Sequence, residues 1–221
     1  MCGRFALATD KNVLEMLYDI EIRGELTPRY NIAPSQEVLA LRLSRTGGEK
    51  EPVYLKWGLV PFWSDDPDTG NRMINARSET APEKPSFRSA FKKRRLLIPA
   101  TGFYEWKKEE GGAKQPYYIC RKDGHPFSLA GLWERWDKGD HPLETFTILT
   151  TEASDPVASL HNRMPVIIPR QAYDSWLDPG TEQADLLELL KPCPAEELTA
   201  YPVSRQVNNP ANDLEELLNP I

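Results

Sequence analysis

A chain of 221 residues, 40% of them hydrophobic, can bury a real core, and no run of about 18 apolar residues marks a membrane span. Arg4, Asp10 and Lys11 break any signal-peptide pattern, while three sparse cysteines (Cys2, Cys120, Cys193) and scattered histidines (His125, His141, His161) argue against a disulfide framework and a zinc site; a cytoplasmic protein with no metal and no cofactor is expected. The net charge of −6 opposes nucleic acid only on average: ten acidic residues against two basic ones follow Arg170, whereas Lys84 to Arg95 holds six basic residues (Lys84, Arg88, Lys92, Lys93, Arg94, Arg95) and no acid. Such a run is either a solvated helix face or a patch that steers a polyanion.

In chain order, Thr9 to Tyr18 predicts a helix, with Asp10 as its cap and Val13, Leu14, Leu17 and Tyr18 as its apolar stripe. The proline-punctuated stretch from Thr27 to Ser35 is expected to be irregular. Val38 to Arg42 and Val53 to Trp57 predict a hairpin around a Gly47-Gly48 turn. Gly58 to Asn71, rich in proline and aromatics, predicts an ordered surface loop, and Phe87 to Lys93 a short basic helix. Strands are expected at Leu96 to Ile98, Gly102 to Lys107, Tyr117 to Arg121, Leu129 to Trp136 and Phe146 to Thr151, with turns at Gly111-Gly112 and Asp123-Gly124. Val166 to Ile168 predicts a short buried strand, and Arg170 to Leu177 and Gln183 to Leu190 predict helices. Central strands flanked by helices, without a regular βαβ alternation, mean an α+β protein with a mostly antiparallel sheet. No repeat or long linker divides the chain, so residues 1–221 are expected to form one domain.

The most pointed chemical clue is position two. Aminopeptidases remove an initiator Met that precedes a small residue, which would leave Cys2 with a free α-amine and a thiol on adjacent carbons. An α-amine titrates near about 7.7–8.0 and a thiol near about 8.5, so on the order of a tenth of the amine is unprotonated at neutral pH. An aldehyde captured by that amine gives an imine, and the neighbouring sulfur can close on the same carbon to a five-membered thiazolidine. The same residue could instead act as an N-terminal nucleophile on an amide, with its amine as base. Cys2 by itself does not choose between them.

Four further segments are dense in polar, aromatic, Gly and Pro residues: Lys56-Trp-Gly-Leu-Val-Pro-Phe-Trp, Ile74-Asn-Ala-Arg-Ser-Glu-Thr, Ile98-Pro-Ala-Thr-Gly-Phe-Tyr-Glu-Trp and Leu160-His-Asn-Arg-Met-Pro-Val-Ile. With Met-Cys-Gly-Arg-Phe at the start, and in this order, the chain resembles the SRAP (SOS response-associated peptidase) family of abasic-site processing proteins, from Cys2 through Pro202-Val-Ser to Val207-Asn208. The resemblance implies a barrel-like sheet core with peripheral helices. It also implies a reaction, a thiazolidine crosslink between an N-terminal cysteine and an abasic site in single-stranded DNA. By matched position Cys2 would be the nucleophile, Asn75 would orient the chain start, and Glu105 and His161 would move protons. Those roles suit the chemistry, because ring opening, loss of water and ring closure each need a proton placed or removed. Taken singly, Glu105 also reads as a surface ion-pair partner and His161 as a structural histidine.

DNA contacts are expected from Arg4, Arg77 and Arg163, each within three positions of a proposed catalytic residue and suited to clamping phosphates. Trp57, Phe62, Trp63 and Trp106 are candidate stacking faces, with Trp63 and Trp106 preferred over core packing. Lys84 and Arg88, in the basic run, would guide the strand or a duplex arm beside the lesion. The expected partner is single-stranded DNA containing an abasic site, including single-strand/duplex junctions, and the default assembly is a monomer. Two other readings stay open: a cysteine peptidase or amidohydrolase using Cys2, His161 and Glu105, and a non-catalytic single-strand binding module.

Overall fold

Short runs of apolar and aromatic residues build most of this protein as strands, several of them buried on both faces, and the computed structural model describes residues 2–44 and 48–221. The strands are β1 (Phe5–Leu7), β2 (Arg29–Ile32), β3 (Glu37–Leu43), β4 (Lys50–Trp57), β5 (Asn75–Arg77), β6 (Arg95–Ala100), β7 (Gly102–Lys108), β8 (Lys114–Arg121), β9 (Phe127–Trp136), β10 (Leu143–Glu152), β11 (Arg163–Pro165), β12 (Ile167–Ile168) and β13 (Leu198–Pro202). The helices are α1 (Lys11–Tyr18), α2 (Arg88–Lys93), α3 (Tyr173–Leu177) and α4 (Gln183–Glu188), supplemented by short 3-10 turns.

Strands β10, β4, β3, β6 and β9 pair in that order, and β9 pairs back onto β10, which closes a five-stranded barrel. Closure leaves no free edge on these strands. A second sheet, ordered β13-β8-β7-β1-β2, packs on the barrel. Strand alternation divides its side chains between two cores. Phe5, Leu7, Ile32, Phe103 and Ile119 join the main cluster with barrel residues such as Trp57, Leu97 and Phe146. Ala6, Tyr104 and Tyr118 face the other way, where Val203, Val207 and Leu217 of the C-terminal segment cover them. The protein is a single α+β domain in three layers: barrel, sheet and C-terminal segment.

Several local expectations change in this frame. Asp10 occupies the N-cap of α1 but its side chain makes no capping bond. The stretch expected to be irregular contains β2, because Asp213 accepts from the amides of Tyr30 and Asn31 and holds them extended beside β1. The sheets are mostly antiparallel, as expected, with β10 pairing in parallel with β4 and β5. The hairpin of β3 and β4 forms in antiparallel register, but Gly47 of its expected turn lies outside the described residues, as does Met1. The helix expected up to Leu190 ends at Glu188, and β13 pairs β8 where no strand was foreseen. Cys2, Cys120 and Cys193 are free thiols. Among the described residues no helix is long and apolar enough to cross a membrane.

Candidate active site

The chain start runs along β7 before β1 begins: Tyr104 donates its amide to the Arg4 carbonyl at 3.0 Å, and Phe5 then pairs with Phe103. Cys2 is fully buried and belongs to the main core cluster. On β7, Glu105 is two positions from Phe103 and so shares its inward face; it is only 3% exposed. Glu105 therefore lies between sheet and barrel, not at the surface.

β10 supplies the other half. At Thr150 it is flanked by Arg77 of β5 on one edge and Pro165 of β11 on the other. Two motifs distant in sequence are thereby brought to one strand. Asn75, opposite Ile148, donates its Nδ2 to the Cys2 carbonyl at 2.8 Å. Its buried Oδ1 has no partner among the described residues. His161 precedes β11 and its amide donates to the Val157 carbonyl at 2.9 Å. The Arg163 amide donates to His161 Nδ1 at 3.0 Å, which in a neutral ring places the proton on Nε2.

Electrostatics link these residues. Burial raises the Glu105 carboxyl above its ordinary range, opposed in part by the charge of His161. Burial also pushes the Cys2 thiol far up, and the negative charge of Glu105 adds to this. Cys2, Asn75, Glu105 and His161 thus converge from four separate segments. Together they bring a buried carboxyl whose neutral form is favoured, a half-buried imidazole that acts on its charge, and a buried sulfur kept in its thiol form. Among the described residues no cluster of three His, Cys, Asp or Glu could hold a metal ion.

The cationic candidates divide. Arg77 is exposed beside this site. Arg163 pairs in bidentate fashion with Glu79 at 2.6 and 2.9 Å and also donates to the Thr150 carbonyl. Glu79 is the more exposed of the two, 47% against 12%, and both Arg163 and Arg77 lower its pKa. The two guanidiniums thus converge on one anionic position at the surface. Arg4 turns to the opposite face of the sheet, where its Nη1 donates to Asn31 Oδ1 and the Val207 carbonyl, each at 2.7 Å. Its guanidinium lies 5.9 Å from the centre of the Trp106 ring.

Lys84 and Arg88 are exposed, but the basic run containing them is not one patch. Arg94 pairs with Glu134 at 2.7 Å, and buried Arg95 donates to the carbonyls of Phe91, Lys92, Trp176 and Asp178. Of the aromatics, Phe62 and Trp63 are exposed, at 54% and 47%. Trp106 is half-buried and donates to Asn208 at 2.7 Å. Trp57 is core, packed between Phe5 and Phe146 with its Nε1 donating to the Ile74 carbonyl, so it offers no stacking face. Asn31 and Asp213 escaped the sequence reading. A polar residue between prolines carries no periodic signal, and the partners of both lie some 180 residues away.

The chain as a whole is similar to known proteins. The sequence pattern of the SOS response associated peptidase (SRAP) family matches residues 1–210. The abasic site processing protein YoaM of Bacillus subtilis is 42% identical, covering 99% of this chain and 98% of its own. The abasic site processing protein YoqW of the same organism is 40% identical, covering 99% of each. A crystal structure of a protein from Bacteroides thetaiotaomicron superposes with a TM-score of 0.87 at 28% identity, covering both chains fully. The convergence of Cys2, the Asn75–Arg77 strand, Glu105 and His161 on one barrel edge, in a chain matched along almost its whole length, makes this protein a member of the SRAP family.

Proposed function

We propose that this protein processes abasic sites in single-stranded DNA by capturing the lesion's aldehyde on Cys2 after Met1 is removed. The observation that carries the reading is the hold on Cys2: its carbonyl is fixed by Asn75 within electrostatic reach of a buried Glu105, whose neutral form burial favours. The names of the relatives, abasic site processing proteins, support the same substrate.

The reaction needs no external reagent. The Cys2 amine attacks the aldehyde carbon to give a carbinolamine. Glu105, in its acid form, protonates the departing hydroxyl, so one water leaves and an iminium forms. The Cys2 sulfur then adds to that carbon and its proton passes to the carboxylate. The product is a thiazolidine plus one water, with Glu105 reprotonated. His161, beside Glu105, helps open the sugar hemiacetal to the aldehyde. Arg77 and Arg163 receive the phosphates flanking the lesion in the position now taken by Glu79. Trp63, with Phe62, offers a stacking face for an unpaired base. Lys84 and Arg88 meet the strand or a duplex arm beyond it. Arg4 and Trp106, engaged with each other on the far face of the sheet, support the chain start and do not clamp phosphate.

A thiol kept protonated suits this order of events, amine first and sulfur second, better than amide hydrolysis, which needs a thiolate nucleophile from the outset. The test is a uracil-containing oligonucleotide treated with uracil-DNA glycosylase and mixed with the protein. A band resistant to SDS and heat is expected with the native chain, independent of chelator. Cys2→Ala should remove the band, and mass spectrometry of the native protein should find Met1 absent. Normal crosslinking by Cys2→Ala would reject the reading, and efficient peptide cleavage would favour the hydrolase instead.

A further inference from the structure

Residues 2–4 precede β1, and the Cys2 side chain is buried in the main core cluster. Their carbonyls accept from Asn75 Nδ2 at Cys2, 2.8 Å, and from the Tyr104 amide at Arg4, 3.0 Å. A further grip is on the Arg4 guanidinium, whose Nη1 donates to Asn31 Oδ1 and to the Val207 carbonyl, each at 2.7 Å. Asn31 is fully buried. Its Oδ1 accepts from Arg4 Nη1 at 2.7 Å, while its Nδ2 donates to the carbonyls of Val207, Asn209 and Asn212 at 3.2, 3.1 and 2.7 Å. One amide thus joins β2, the C-terminal segment and a residue two positions from Cys2.

Tying the C-terminal segment to β2 does not by itself require this. Asp213 already accepts from Arg29 Nε at 2.8 Å and from the amides of Tyr30 and Asn31 at 2.5 and 2.9 Å. None of those bonds involves Arg4. What Asn31 adds is a hold on the strand that leads to the nucleophile.

We propose that Asn31 is a positioning residue for the Cys2 reaction, gripping Arg4 so that the chain start keeps one register against Glu105 on β7 and Asn75 on β5. The proposal rests on the aldehyde-capture reading above. Once Met1 is removed the Cys2 amine has no upstream residue to restrain it, so the anchors that follow it limit the arrangements that the amine and thiol can sample. Misplacement of a reacting group by about 1 Å can cost on the order of a hundredfold in rate.

The experiment measures single-turnover adduct formation at saturating abasic oligonucleotide for the native protein, Asn31→Ala, Glu105→Gln and the double variant, with Asp213→Ala as the control for a loosened C-terminal segment. Asn31→Ala should react about 10- to 100-fold more slowly with little change in the half-saturating oligonucleotide concentration. Asp213→Ala should lower Tm while keeping its rate within about twofold, and Asn31→Ala should add less than about threefold once Glu105 is already Gln, because the two act through one geometry. Arg4→Ala removes the gripped group while leaving the Asn31 Nδ2 bonds in place, and should slow the reaction by a similar factor, which supplies the readout if Asn31→Ala does not fold. The proposal is overturned if Asn31→Ala or Arg4→Ala reacts at the native rate, or if Asp213→Ala slows in the same proportion to its loss of Tm. Absence of any adduct with the native protein would instead remove the aldehyde-capture reading, and the positioning role with it.

Discussion

The Glu105 carboxyl lies on the inward face of β7, where burial favours its neutral form. A carboxyl whose native pKa lies above its unfolded value of about 4.3 contributes stability that is complete below that value and is lost as pH rises through the native pKa. At neutral pH the native fold therefore bears a cost for burying this carboxyl. Glu105→Gln should raise Tm at pH 7 by a few degrees, since about 1 kcal/mol is worth roughly 2–4 °C in a domain of this size. The gain should vanish below about pH 4, where the native carboxyl is also neutral. Adduct formation by the same variant should fall by about 10²–10⁴, the usual worth of a general acid. Equal Tm values for the two proteins across this pH range, from thermal melts, would mean that burial is not what sets this carboxyl. The residue types at this site were legible in the sequence because each belongs to a distinctive motif. The burial of Glu105 was not, because a Glu among aromatic residues reads equally as a surface group.

At the scale of elements, α2 shows how a uniform run of charge resolves into different tasks. Lys92 and Lys93 point to solvent, while Arg95 one turn on is buried and satisfies carbonyls at the ends of α2 and α3. Helix ends leave such carbonyls without partners of their own. Arg95→Ala should cost about 3–5 kcal/mol in urea denaturation through the unpaired oxygens and the lost packing on Trp176, whereas Lys92→Ala should stay within about 0.5 kcal/mol. Strands that read as apolar or aromatic runs, such as β7, β9 and β10, were legible within a few residues. β2 and β13 were not. Each is held by a distant partner, Asp213 for one and β8 for the other, and no local pattern encodes that.

At the scale of the whole molecule, charge is sorted along the chain: the acidic excess lies after Arg170, and Arg77, Lys84 and Arg88 are exposed before it. An acidic protein can present a basic face to a polyanion when its charges are sorted in this way. Binding to single-stranded DNA should weaken with salt, each phosphate contact contributing about −0.7 to the log–log slope. The double variant Lys84→Ala, Arg88→Ala should reduce the steepness by about 1.4 if both residues meet unpaired strand, and by about 1.8 if both meet duplex. An unchanged slope in fluorescence anisotropy titrations would take these residues out of the interface.

The sequence by itself determined the α+β class, most strands, the family and the identities of the chemically able residues, because periodicity, turn residues and motif order are local properties. Only the tertiary structure decided that the barrel closes through a β9–β10 pairing, that β10 draws the Asn75 and His161 segments to one strand, and that the Arg4 side chain turns to Asn31 and Val207. Those outcomes depend on which strands become neighbours, and strand pairing is a property of the folded chain as a whole.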